Sequence, residues 1–150
     1  MTQTDYILRM IEQIGQMLAA LRGIILGESA SAQVIADRLA SAATAGGFDL
    51  TLARAASLET IEMMVAPTGD LDPGRCWLVA EILYLDGLQA ELEERHEEAE
   101  ESYRKSLPLY TLLKPKGTFM GLPEAGERIH EIEARLATLG TGERFSTGGD

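Results

Sequence analysis

Two glutamate–histidine pairs carry a spacing that metal chemistry uses: Glu93 precedes His96, and Glu127 precedes His130, by three residues each. On a helix that interval puts a carboxylate and an imidazole on one face. Carboxylate bundles combine two such pairs with two further glutamates around a di-iron or di-manganese centre. Glu12, Glu59, Glu62 and Glu81 are the residues that could complete the set. The chain has 17 glutamates, however, seven of them between Glu91 and Glu101, so a glutamate three residues ahead of His96 is cheap by chance. Glu93, His96, Glu127 and His130 are therefore weak metal candidates, solvated side chains are the simpler reading, and no cofactor is expected.

Other chemistry is sparser. Cys76 has no histidine near it in sequence and is flanked by Trp77 and Leu78, which marks a core thiol; nothing resembles a nucleophile elbow, so no catalytic residue is nominated. Arg104, Lys105, Lys114 and Lys116 lead into Gly117-Thr118, a basic stretch that lacks the glycine spacing of a phosphate-cradling loop and reads as a solvated connector. The glutamates around 91–101, relieved by Arg95, Arg104 and Lys105, read as a charged outer face, with docking of a basic partner as the alternative. Glu81 stands apart, a carboxylate inside the most apolar segment. An unpaired buried charge is costly, so it must meet an arginine, a backbone donor or water.

The elements that would position these residues are helices. At 150 residues the chain has the length of one domain, and its Ala, Leu and Glu outweigh its β-branched and aromatic residues. Twenty-four acidic against 13 basic side chains leave a net charge of −11, which opposes adhesion to nucleic acid or to anionic lipid. The opening has no basic stretch ahead of an apolar run, and Arg9, Glu12 and Arg22 interrupt its apolar pattern, so neither a signal nor a membrane anchor is expected. A lone cysteine fits a reducing, cytoplasmic setting.

Periodicity and caps divide the chain into N-terminal helices over 4–70, a hairpin over 72–113 and a capping helix over 123–139. A flexible tail at 140–150 completes a single domain that spans 1–139. Thr4 caps a first helix to about Leu26. Its apolar residues Ile7, Ile11, Ile14, Leu18, Leu21 and Ile25 form one stripe, and Tyr6, Met10, Met17 and Ile24 form a second beside it. That face is wider than one neighbour needs; it serves either core packing or self-association. A second helix over 29–45 ends at Gly46-Gly47, a third runs from the Asp49 cap to before Pro67, and Asp72-Pro73 opens the strongest segment. The helix from about Glu97 to Leu113 contains Pro108, which should bend it. A connector follows from Lys114 to Leu122.

Over about Ala80–Leu113 the chain resembles a tetratricopeptide repeat, a helix-turn-helix of about 34 residues. With the motif's alanine on Ala99, its glycine falls on Gly87, its aromatic on Tyr103, its early large apolar residue on Leu83 and its late leucine on Leu107. Ala90, Ser106 and Thr111 depart from the pattern. A shift of 34 residues backward puts Ala53, Val65 and Gly69 on the key positions, so no second copy is legible. The resemblance implies a turn at His96 and a groove lined by Tyr84, Leu85, Leu88, Glu91 and Leu92, too apolar to stand open. The N-terminal helices should fill it, and the last helix should cap the other side. The opening Asp5-Tyr6-x-x-Arg9-x-Ile11-Glu12-Gln13, with Leu71-Asp72-Pro73 leading into Ala80-Glu81-Ile82-Leu83-Tyr84, also resembles a group of bacterial helical proteins, a likeness that implies no activity.

The expectation is an all-α fold of five to six helices, in which the tetratricopeptide-like hairpin packs against N-terminal helices and a C-terminal capping helix. Its function is expected to be that of a non-enzymatic interaction or scaffold module. It would be homodimeric through Ile7, Met10, Ile11, Ile14, Leu18, Leu21 and Ile25, without nucleic-acid or membrane partners. A small-molecule or metal-binding bundle with enzymatic activity is the alternative.

Overall fold

Asp72 caps the central helix, its carboxylate accepting from the Arg75 amide at 3.2 Å, and Pro73 takes the first turn, where its missing N–H costs nothing. The computed structural model describes residues 3–114 and 125–148, with side chains at 6–114 and 125–140. Among these residues every regular element is a helix: α1 (Gln3–Leu26), α2 (Ala32–Ala45), α3 (Leu50–Ala55), α4 (Leu58–Met64), α5 (Pro73–Leu92), α6 (His96–Leu113) and α7 (Ala125–Gly148).

Helix α5 is the axis of the fold. Every residue from Cys76 to Leu88 is buried, so its lack of a polar face reflects neighbours on all sides. Helix α6 returns antiparallel to it, pairing Asp86 with Ser102 near one end and the Cys76 thiol with the Leu109 carbonyl near the other. Helix α1 runs parallel to α5, since Ile11 packs at Gly74 and Arg22 reaches Tyr84. Helix α7 also runs parallel to it, because Arg128, Glu131 and Arg135 meet Glu81, Tyr84 and Glu91 in turn. Helix α2 covers α5 through Ile35, Leu39, Ala42 and Ala43. Arg75 ties the start of α5 to the ends of two other helices, donating to the Met64 carbonyl at 2.6 Å and the Gly47 carbonyl at 3.3 Å.

The described residues form seven helices rather than five to six. The third expected helix divides because Ala56 is extended (φ −74°, ψ 150°) and Ser57 caps a new helix, accepting from the Thr60 amide at 3.2 Å. Helix α1 begins at Gln3, ahead of Thr4, and α2 begins at Ala32 behind a Ser31 cap rather than at residue 29. Helix α7 continues past Leu139 to Gly148, where a tail was expected; a glycine inside a helix costs about 1 kcal/mol but does not stop it. Helix α6 runs on through Pro108. Apart from Lys114, the expected connector lies outside the described residues, as do Lys116, Gly117, Thr118 and Pro123.

Candidate functional site

Helices α5 and α6 pack against each other along their length. Leu83, Ala99 and Tyr103 are fully buried and Leu107 is half-buried. A Cβ on Gly87 would stand 2.8 Å from Tyr103 Cε1, so the ring rests on bare backbone. The Tyr103 hydroxyl donates to Glu91 at 2.7 Å.

Continuous with this joint through Glu91 is a polar network that joins four helices. Glu81, 2% exposed, accepts from Arg128 Nε at 2.8 Å and from its second guanidinium nitrogen at 3.0 Å, and also from the Tyr110 hydroxyl. The Arg128 guanidinium lies 4.6 Å from the centre of the Tyr84 ring, a cation–π contact inside the protein. The Tyr84 hydroxyl donates to Glu131 and accepts from Arg22 Nε at 2.8 Å, while Arg22 also pairs with Glu131 at 2.9 Å. Arg135 bridges Glu131 at 3.1 Å and Glu91 at 3.4 Å. Each buried charge therefore has a partner of opposite sign, the condition under which such groups are tolerated.

Burial, and then the Glu131 hydrogen bond, push the Tyr84 hydroxyl up to about 12. Tyr110 and Tyr103 are likewise driven above the ordinary value, by burial first and then by Glu81 and Glu91. Burial alone would raise Glu131; hydrogen bonds from Tyr84 and Arg135, with the charges of Arg22 and Arg128, outweigh it and hold the carboxyl below its usual value. The network locks α7 and α1 onto the hairpin. Trp77 Nε1 is the one buried side-chain nitrogen or oxygen without a partner among the described residues.

The sequence reading missed these network arginines. Glu127 and His130 are exposed on α7, and the inward residues are their neighbours Arg128 and Glu131. The demand of Glu81 for a cation, set beside an Arg-x-x-Glu-x-x-x-Arg spacing around Ile132, was the available signal. His96 is exposed at the start of α6, and Glu93 is engaged by Gln89 and Arg95. Among the described residues no group of three or more His, Cys, Asp and Glu side chains could hold a metal ion. Burial, with Asp72 nearby, pushes the Cys76 thiol up to about 12, which removes it as a nucleophile near neutrality.

A polar cleft of about 190 Å³ lies between Arg54, Asp86, Ser102 and Lys105. Its ionic groups serve one another. Arg54 holds Asp86 through two bonds of 2.9 and 2.6 Å, and Lys105 donates to the Ala53 and Arg54 carbonyls at the end of α3 and pairs with Glu101 at 3.2 Å. This is a clamp that docks α3, smaller than the roughly 300–1,000 Å³ of small-molecule sites.

The two stripes of α1 separate. Ile11, Ile14, Leu18, Leu21 and Ile25, expected at an interface, are buried in the chain's own core, because α1 lies against α5 along that line. Ile7 is exposed and Met10 is half-buried. Of the second stripe, Tyr6 is 63% and Met17 52% exposed while Met10 and Ile24 pack partly against the core; Ile7, of the first stripe, and Leu8 are each 42% exposed. Between α1 and α2 runs a trough of about 290 Å³ lined by Met17, Leu18, Leu21 and Ala42, with Arg38 and Ser41 as polar members.

Comparison of the chain with protein-family models, with curated proteins and with solved structures finds no match in any of the three. No helix among the described residues is long and apolar enough to cross a membrane.

Proposed function

We propose that the chain is a non-enzymatic protein–protein interaction module that binds through the outer side of α1 and the α1–α2 trough. Its core is a tetratricopeptide-like hairpin, α5–α6, whose groove is filled by the chain's own α1 and α7. Support for that likeness comes from Tyr103 seated on Gly87, from buried Ala99, and from α7 running parallel to α5 as the first helix of a following repeat would. Tyr84, Leu85 and Leu88 are buried, so the groove offers nothing to a peptide. A reducing, cytoplasmic setting agrees with a single buried cysteine.

One observation carries the reading. Tyr6, Ile7 and Leu8 are three consecutive large apolar residues left exposed, with Met17 exposed three turns further along the helix. Such runs on a surface are errors of folding design unless something covers them. A photo-crosslinking amino acid placed at Met17 of the intact chain in cells should give defined protein adducts, and the same group at Glu97, on the acidic face of α6, should not. Absence of adducts from Met17, or the same pattern from both positions, would refute the proposal.

A further inference from the structure

We infer that the partner at this surface is a second copy of the chain, related by a two-fold axis across antiparallel first helices, with Tyr6 of each copy seated in the α1–α2 trough of the other. The inference rests on the interaction surface proposed above and names what occupies it.

Ile11 packs at Gly74, the second residue of α5, and the two helices run parallel. Tyr6 to Met10 therefore project past the start of α5, an overhang of roughly 7 Å at 1.5 Å per residue. Tyr6, Met10 and Met17 follow one another at steps of four and seven residues, so they lie along one line of the helix. Tyr6 and Met17 are separated by about 16 Å along it. A two-fold axis between residues 11 and 12 brings Tyr6 of each copy level with Met17 of the other and fills both troughs in one operation. A single face carries both halves of the contact, the projecting residue and the recess. Identical chains need both; a different partner would need only one.

Charge favours the same occupant. Residues 1–48 carry four acidic and three basic side chains, whereas residues 49–150 carry twenty acidic and ten basic. Two copies that met through the later helices would bring like charge together, and through α1 and α2 they do not. The outer sides of these helices, about 36 and 21 Å long and about 10 Å wide, present roughly 570 Å² in projection. A standard interface buries about 800 Å² per partner, so the pair belongs with the weaker, micromolar associations.

Two measurements on the full chain test this. Sedimentation equilibrium over roughly 1–200 µM, the range a small interface implies, should show a reversible dimer. Met17→Asp should raise its dissociation constant at least about tenfold, since a charge replaces an apolar contact at the trough. Met17 is half exposed, so the variant keeps its helical circular dichroism. In the second measurement, differently tagged Tyr6→Cys and Met17→Cys chains are mixed under mild oxidation; Cys76 is buried and stays silent. The mixed disulfide should form at least about tenfold faster than either like pair, whose sulfurs stand about 16 Å apart in this arrangement, beyond the roughly 7 Å that a disulfide spans between α-carbons. Like pairs that couple as fast as the mixed pair would overturn the antiparallel arrangement. A monomer throughout, with Met17 photo-adducts to another protein, overturns the second copy and leaves the interaction surface standing; a monomer without adducts overturns both.

Discussion

Replacing Arg128 with methionine tests whether the network under α7 is dry. Glu81 is 2% exposed and accepts three bonds, two of them from Arg128 at 2.8 and 3.0 Å and the third from Tyr110. Without the guanidinium the carboxylate keeps one neutral donor in a place that water does not reach. Removing one member of a buried ion pair costs about 3–5 kcal/mol, a large share of the roughly 5–15 kcal/mol that holds a domain folded. The loss should appear as an earlier midpoint in urea denaturation followed by far-ultraviolet circular dichroism, with an unchanged slope. Replacing all three members together (Glu81→Met, Arg128→Met, Tyr110→Phe) removes the orphaned charge and the orphaned hydroxyl, so that variant should lie within about 1 kcal/mol of the parent or above it.

If Arg128→Met costs less than about 1 kcal/mol, or if the triple variant is as unstable as the single one, Glu81 has another route to water and the network is not what fixes α7.

Further predictions concern two glycines, the buried tyrosines and Glu131. Gly87→Ala gains about 1 kcal/mol of helix propensity but sets a methyl group 2.8 Å from a fully buried ring tied to Glu91, so a net loss of roughly 1–2 kcal/mol is expected. Gly23→Ala, where an added Cβ meets nothing within 4 Å, should gain about 1 kcal/mol by the same denaturation assay; the same sign from both would refute the joint. Tyr84 stands near 12 in the fold against an ordinary 10, so its contribution to stability is complete below pH 10 and is lost as pH rises through 12. Glu131 is held below its ordinary 4.5, so its contribution is complete above that value and drains away as pH falls beneath it. Tyrosinate absorbance of the buried tyrosines should therefore grow together with loss of helix, and growth well ahead of unfolding would contradict their burial. Glu131→Gln should flatten the acid limb.

What was legible in the sequence was local. Asp49 and Asp72 cap helices because a short carboxylate facing a free amide needs no tertiary help, and Gly47 ends α2 because its φ of 87° suits glycine. Residues 49–66 read as one helix because Ala56-Ser57 is compatible with a helix interior; the break at Ser57 became visible only in three dimensions. The double stripe on α1 was plain, but periodicity cannot say which line meets the core, and the expected interface fell on the line that α5 covers. Arg128, Glu131 and Arg135 resemble surface charges because their partners on α5 lie 44 to 47 residues away. Their residue types give no sign of burial, and only the isolation of Glu81 among apolar residues asks for them.

A single hairpin has two open flanks, and this chain closes both with helices parallel to α5. Apolar contact alone holds such a helix loosely in register, since Ile132 and Leu139 would find similar footing one turn away. Ion pairs spaced along the helix do not allow that slip: a one-turn shift of α7 would part Arg128 from Glu81 and Arg135 from Glu91 together, leaving buried charges unpaired. The network thus does for α7 what Ile11 at Gly74 and Arg22 at Tyr84 do for α1. With both flanks fixed, the exposed apolar surface of α1 lies at its overhanging start, beside Met17 and at Leu26. Contact with a partner there does not require the core to open.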